Sequence, residues 1–532
     1  MEQQDLNKRL LLALALSFFV FIGYSYFFPA EKPTQAAQQT TNAAHQTPTV
    51  DKANVPTPTA SGSTAASAPV QTASTGLISV RSDNFIMTVD EYARISQVEL
   101  LEAKYHDEDG KNLKILGVNE VKPLEVRFSD AALNDEAFKT PYVTSGSKTI
   151  DVSEGPQTVT LTQTLSSVTV TKKITFKPTG EYDVTVTTST PTPYFITPGH
   201  RPVADQSMYM LVRGALVKGA DNIINTVEDG DAEGYEKFKN AKIASAFDRY
   251  VASMFFDFDK GMNVSILKEA NGDPLLFVEG AETLELNAYI GPKEEKILSA
   301  IHPELTDAIE FGWFSFLAKP FFKVLLWIND YVGNWGWAII LFTLLVKLVL
   351  FPLSYKGMMS MNKLKDLAPK MKDIKEKYKG DPAKMNAQMM EMYKKHGANP
   401  MGGCLPMLLQ IPVFFALYRV LLNADELQGA GWILWIDNLA VMDPYFVLPV
   451  LMGASMWFQQ KITPSNFTDP LQEKIFKWFP VIMTVFFVYF PSGLVLYWLV
   501  NNLFTIAQQY FINHMYKKQK ALAVAAHKKT KD

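Results

Sequence analysis

Cysteine is almost absent from this chain of 532 residues, with Cys404 standing alone. A disulfide framework and a thiolate metal site both need more than one sulfur, so neither is available. Histidine is sparse as well: His45, His106, His200, His302, His396, His514 and His527 are scattered without the spacing of a metal-ligand set, and no metal or cofactor is expected. No G-x-x-x-x-G-K-[ST] loop occurs, which removes the recognisable P-loop of nucleotide hydrolysis. The net charge of −3 lacks the basic excess that marks a nucleic-acid partner. No set of side chains reads as catalytic, and an enzyme is not expected. One more absence carries the most information. The apolar segments of the C-terminal half contain no aspartate or glutamate, yet one of them, 335–353, holds Lys347.

An unpaired charge at mid-helix costs roughly 2.5–3.5 kcal/mol on insertion scales and usually faces water or a bundle interior. Two readings follow. Lys347 either snorkels and bonds nearby carbonyls as a structural lysine, or it charges a hydrated groove inside the membrane.

The first apolar run, Leu10 to Phe28, follows Lys8 and Arg9 and exits through Tyr26, Phe27, Phe28 and Pro29. Signal cleavage wants small residues there, so 1–28 is expected to be an uncleaved transmembrane anchor with a cytoplasmic N-terminus. Residues 29–76 are rich in Pro, Thr, Ala, Gln and Ser and read as a disordered linker. Across 77–302 the texture turns to period two, as in Thr158–Thr162, Val168–Thr171 and Tyr182–Val186, which predicts a periplasmic antiparallel β-sandwich. Segment 303–334 mixes charges with aromatics and predicts an interfacial amphipathic helix with a break near Pro320.

Five more spans are placed at about 335–355, 401–422, 444–461, 475–490 and 493–514, within a core at 335–515. Segment 356–396 carries eleven lysines, 424–443 carries no Lys or Arg, and the tail 516–532 is basic again. Lysine-rich loops belong in the cytoplasm, so both termini and that loop are assigned there. Arg419 breaks the pattern and is expected to snorkel outward. Within the cytoplasmic segment 356–398, Leu364, Leu367, Met371, Ile374 and Tyr378 form a seam at spacings of 3 and 4, answered by Met385, Met389, Met392 and His396. Gly380, Asp381 and Pro382 supply stop, cap and restart, which predicts a helical hairpin. The expected fold is a polytopic α-helical membrane protein of six transmembrane helices, carrying that periplasmic sandwich and that hairpin.

Counting depth at about 1.5 Å per residue brings polar residues to one level. Lys347 lies about 13 Å inward from Lys356, and Gln410 about 13 Å from Met401. Thr343 lies one turn deeper on the face of Lys347, while Trp498, Asn501, Asn502, Thr505 and Gln508 recur on the last helix. Convergence of three helices favours the groove. Trp335, Trp337, Trp432 and Trp435 mark an aromatic belt at the opposite end, where the spans are mainly apolar. A cavity open on one side is no through-channel, and the missing carboxylates weigh against an ion-coupled transporter. A small-anion carrier using Lys347, or a scaffold whose sandwich does the work, are the rival classes.

Val332-Gly333-Asn334-Trp335-Gly336, Asn399-Pro400-Met401-Gly402-Gly403-Cys404-Leu405-Pro406, Gln410-Ile411-Pro412, Asp443-Pro444-Tyr445, Leu451-Met452-Gly453 and Phe490–Tyr497 resemble the bacterial YidC membrane-protein insertase family. The resemblance covers the whole chain and is strongest from about 310 to 515. It implies a β-supersandwich, a five-helix core and a cytoplasmic hairpin in an inner-membrane protein. It also implies insertion and chaperoning of nascent membrane proteins into the lipid bilayer, alone or with the Sec translocon. The ribosome or targeting machinery would act at the cytoplasmic face. Substrate helices would slide along Phe414, Met452, Phe486 and Trp498. The family's groove charge is usually arginine; here the matching position is Lys347, which keeps the charge without the planar five-donor fork.

Overall fold

The computed structural model describes residues 55–58, 64–68, 76–106, 110–144, 146–204, 212–396, 405–463 and 470–529. The expected anchor at 1–28 lies outside them. Among the described residues, 360–396 form one compact unit and the remainder another.

Alternation produces the expected strands. Gln157–Thr164, Thr169–Phe176 and Glu181–Thr188 pair antiparallel in unbroken register, with Val159, Leu161, Val170, Ile174, Val184 and Val186 inward. They belong to a nine-stranded sheet that continues through Thr283–Pro292, Val251–Phe256, Ile243–Phe247, Gly214–Lys218 and Ile224–Glu228, with Val143–Thr144 at the other edge. Two five-stranded sheets accompany it, one running from Tyr235–Ala241 to Val126–Phe128 and one from Leu113–Lys114 to Thr149–Asp151. The domain is antiparallel except where Gly76–Arg81 meets Thr149–Asp151 in parallel. Part of the stretch read as a disordered linker is ordered: Val55–Pro58 pairs with Thr64–Ala68.

Ile243–Phe247 and Val251–Phe256 do not alternate; every residue is buried. A strand covered on both faces loses the period-two pattern. One face packs into the β-rich core; on the other, Ile243, Phe247, Met254 and Phe256 join Leu298, Phe311, Phe322 and Leu417.

The helices are α1 (Ala131–Ala137), α2 (Glu295–Ile301), α3 (Ser315–Val332), α4 (Trp335–Val349), α5 (Phe351–Lys377), α6 (Pro382–Lys395), α7 (Leu405–Asn423), α8 (Val447–Ile462), α9 (Pro470–Phe487) and α10 (Ser492–Lys529). Pro320 does not break α3, which runs through it. As the sixth residue of the helix it forgoes one backbone bond, the one its N–H would make to Phe316 O. One face of α3 buries Ala318, Phe322 and Leu325, while Phe316, Trp327 and Tyr331 stay exposed. The basic tail does not begin as a separate segment, because α10 continues to Lys529.

Among the described residues no single helix is long and apolar enough to cross a membrane, although α4 and α5 together meet that standard across a 65° bend. The 15 residues of α4 rise roughly 22 Å against a hydrocarbon core of roughly 30 Å. In α10 the residues Asn501, Asn502, Gln508 and Gln509 lower the hydropathy.

In the 360–396 unit, Leu367 and Met392 are buried with Leu364, Met371, Ile374 and Tyr393 around them. Asp381 caps α6 by accepting from Lys384 N at 3.1 Å. Tyr393, whose hydroxyl donates to Met371 Sδ at 3.6 Å, belongs to this seam and was not expected there.

Candidate functional site

The motif residues around α4 each have a geometric task. Gly333 ends α3 in the left-handed region at φ 66°, donating to Asn329 O at 2.7 Å. Asn334 then caps α4, accepting from Trp337 N at 3.1 Å and donating to Gly431 O and Trp432 O at 3.2 Å. Gly336 lets Trp432 approach, since a Cβ there would stand 2.1 Å from Trp432 Cδ1. At the same end of the bundle, Ser492 N donates to Val441 O at 2.6 Å and Gly493 N to Leu439 O at 3.0 Å, which makes the tight turn into α10.

These joints set the register of α4, α7 and α10, and with it a partly open cleft between them. Its lining is Thr343, Val346, Lys347, Leu350, Leu353, Ser354, Gln410, Tyr497 and Asn501. Lys347 is buried, and its Nζ donates to Thr505 Oγ1 at 2.8 Å. Gln410 Nε2 donates to Asn501 Oδ1. Thr343 and Thr505 each send their hydroxyl proton back to their own helix, to Ile339 O and Asn501 O at 2.7 Å. Their lone pairs remain for a cation, water or a donor. No carboxylate lines the cleft, and Lys347 makes no ion pair among the described residues.

Depth counting along one straight helix from Lys356 fails here, because α4 ends at Val349 and the chain bends. Lys347 is therefore in the last turn of α4, where the free carbonyls give a helix its partial negative charge. That position lowers the cost of the buried charge by an amount the straight-helix picture omits.

Five of the six expected polar residues, Thr343, Lys347, Gln410, Asn501 and Thr505, thus come together. Asn502 does not; it faces α8 and donates to Ser455 Oγ at 3.2 Å. Of the apolar set, Phe414 packs edge-on against Trp498 at 4.6 Å, while Phe486 touches Phe490 at 4.9 Å. Met452 is fully buried and offers no surface in this conformation. Ser354 and Tyr497 were missed. Tyr497 lies four before Asn501 on α10, a spacing that would have found it, whereas Ser354 lies beyond the bend in α5, where spacing counted from Lys347 does not reach.

Arg419, expected to snorkel outward, has a carboxylate partner. Its guanidinium pairs with Glu310 Oε2 at 3.5 Å, and Asn423 Nδ2 donates to Glu310 O at 2.6 Å. The partner comes from the segment before α3, far away in sequence, so counting within spans could not find it.

Beyond α7, a polar junction joins the helices to the β-rich domain. Asp425 is fully buried; Tyr105 Oη donates to its Oδ2 at 2.6 Å and Lys104 Nζ at 3.1 Å. Glu426 accepts from Glu295 N at 2.9 Å, while its Oε2 is buried without a partner. Burial pushes Asp425 up to about 6 despite Lys104, and Glu426 up to about 8. Because both folded values exceed the unfolded ones, the stability tied to these protons is fully present below about pH 4. It is lost as pH rises through roughly 6 to 8. Glu426→Gln, which keeps the accepting oxygen, is expected to raise the thermal midpoint at pH 8 and to flatten its decline between pH 5 and 8. A midpoint at pH 8 no higher than that of the native protein would contradict this.

Comparison with known proteins places this arrangement among relatives. Residues 327–520 match the family described as 60Kd inner membrane protein, and residues 274–324 the family described as YidC periplasmic domain. The chain is 49% identical to the membrane protein insertase YidC of Campylobacter jejuni, with 98% of each chain covered. It is 48% identical to that of Wolinella succinogenes and 44% identical to that of Helicobacter pylori strain 26695, again with 98% of each chain covered.

Proposed function

The chain belongs to the YidC family of membrane protein insertases, and we propose that it inserts newly made proteins into the inner membrane through a hydrated, positively charged groove. The observation that carries this reading is the Lys347 charge, held without a carboxylate among Thr343, Gln410, Asn501 and Thr505. Carrying a substrate's polar tail across hydrocarbon costs several kcal/mol per unsatisfied group. Hydroxyls, amides and water in one leaflet shorten that path. The ammonium attracts an acidic tail, and the substrate's apolar helix leaves sideways along Phe414, Phe486 and Trp498 into lipid. A potential positive outside adds about 2.3 kcal/mol per translocated negative charge per 100 mV. No nucleotide is needed, because the hydrophobic effect drives the last step.

Met452 enters only if α8 and α9 separate. Gly453 lets these helices touch, since a Cβ there would stand 1.8 Å from Thr484 Oγ1. The 356–398 hairpin, with its eight methionines between Met358 and Met392, is assigned to receiving substrates from the ribosome or targeting machinery. Larger substrates are assigned to work beside the Sec translocon. Six spans with both termini cytoplasmic complete the proposal.

The test is site-specific crosslinking from a photoreactive residue at 410, 414 or 498 to a stalled nascent membrane protein. Crosslinks to the substrate's apolar helix are expected from 414 and 498, and to its translocated tail from 410. Crosslinks from the exposed positions 450 and 485 with none from these three would sink the groove reading.

A further inference from the structure

A second polar cluster lies in the β-rich domain, where three loops converge on His200. His200 N donates to Val121 O at 2.8 Å, which ties the exit of strand Tyr194–Ile196 to the loop carrying Glu120. The hairpin between Met262–Lys268 and Pro274–Gly280 carries Glu269 and Asp273, and closes through Glu269 N donating to Asp273 O at 2.9 Å. The His200 ring is 93% buried by its 7% exposure. Its Nδ1 stands 3.3 Å from Arg201 O, so a proton on Nδ1 bonds that carbonyl and leaves the Nε2 lone pair pointing into the cluster.

Two carboxylate oxygens flank Nε2. Glu269 Oε2 is 3.5 Å away and Asp273 Oδ2 3.6 Å. Both exceed the usual hydrogen-bond range of about 2.7–3.2 Å. They approach the roughly 3.4 Å edge of a tetrahedron with legs of about 2.0–2.1 Å. Glu120 approaches from the Nδ1 side, its Oε2 3.9 Å from that nitrogen, and offers a carboxylate oxygen within 4.8 Å of the ligand atoms of His200 and Glu269; it is the most exposed of the four, leaving an entry path. Asn271 Nδ2 donates to Asp273 Oδ2 at 2.7 Å and so orients that carboxylate from outside.

Charge balance points the same way. Arg201 is engaged by Asp229, and Arg127 by Glu125. We propose that His200, Glu269 and Glu120, with Asp273 as a third carboxylate beside Nε2, bind a divalent d-block ion of the zinc class. One imidazole with carboxylates suits zinc better than the all-oxygen shells of calcium or magnesium. The ion would pin three loops that no disulfide can pin. Sequence spacing hid the set, because 120, 200 and 269–273 come from three separate loops.

The test uses chelator-treated, untagged full-length protein in detergent, titrated first with Co²⁺ and then with Zn²⁺. Native protein is expected to take up one equivalent of zinc more than His200→Gln or Glu269→Gln. Its Co²⁺ form should show d–d absorption that both variants lack. Zinc should raise the thermal midpoint of the native protein alone, and Glu120→Gln should weaken zinc about 10-fold. The metal-free midpoint reports whether each variant folds, and Asp273→Asn replaces any that does not. Equal uptake by native and variant proteins would overturn the site. So would a native midpoint indifferent to zinc and chelator, which leaves only a pH-dependent ion pair.

Discussion

Lys347→Glu is expected to abolish insertion of a small single-span substrate with an acidic translocated tail, and Lys347→Met to reduce it at least about 10-fold. A charge-assisted contact is worth about 1.5–3 kcal/mol, and about 1.4 kcal/mol is tenfold. Lys347→Arg should keep activity, because charge and position survive. The last turn of α4 sharpens these expectations. Glutamate there meets the partial negative end of the helix and the hydroxyl oxygens of Thr343 and Thr505, whose protons are already given to their own helices, so it penalises the fold as well as the substrate. Methionine separates the two effects, since it keeps the apolar stem and loses only the charge and the bond to Thr505. Reconstituted insertion, scaled to folded protein, is the measurement. Full activity of Lys347→Met with acidic-tailed substrates would mean that the lysine serves the helix end and not the substrate. Arginine clearly outperforming native lysine would instead point to bidentate capture of a carboxylate.

What the sequence disclosed depended on which physical signal each residue leaves. Strands with one wet face, such as Gln157–Thr164, declare themselves by alternation. The doubly covered pair Ile243–Phe247 and Val251–Phe256 does not, and it is the pair that packs against the helices. Lys172 shows the same limit. It sits on a core-facing position of an alternating strand, and its Nζ donates to Ala93 O at 3.0 Å and Leu124 O at 2.7 Å. Nothing local announces two carbonyls supplied from residues so distant. The cleft was legible because its polar residues violate an apolar background at helical spacing. Its finer geometry was not. The bend after Val349, the turning of Asn502 toward Ser455 and the pairing of Arg419 with Glu310 all depend on contacts between segments far apart in the chain.

Asp443→Ala is expected to cost the folded protein more than any cleft substitution while leaving the chemistry of the cleft untouched. Asp443 is fully buried. Its Oδ1 accepts from Trp435 Nε1 and from Tyr445 N, each at 3.0 Å, and its Oδ2 accepts from Leu448 N at 2.7 Å. One carboxylate thus ties the loop before α8 to the first turn of that helix. It also steadies the entry through Phe446, which holds a left-handed φ of 57° that bulky residues avoid. Alanine strands three donors at once. The Leu448 donor is buried and costs about 1–3 kcal/mol when unpaired, while the other two are part-buried and cost less where water reaches them, so the total is roughly 3–5 kcal/mol at most. That is a large part of the roughly 5–15 kcal/mol that holds an ordinary domain together. Asparagine keeps one accepting oxygen and turns an amide toward the remaining donors, so Asp443→Asn should fall between alanine and native. The readouts are accumulation in the membrane and the thermal midpoint in detergent, because unfolding of a membrane protein is seldom reversible enough for an equilibrium value. Insertion per folded molecule should stay near native, since Asp443 does not line the cleft. An alanine variant with the native midpoint would show that water satisfies these donors. The Asp443-Pro444-Tyr445 motif would then need another explanation than the capping of α8.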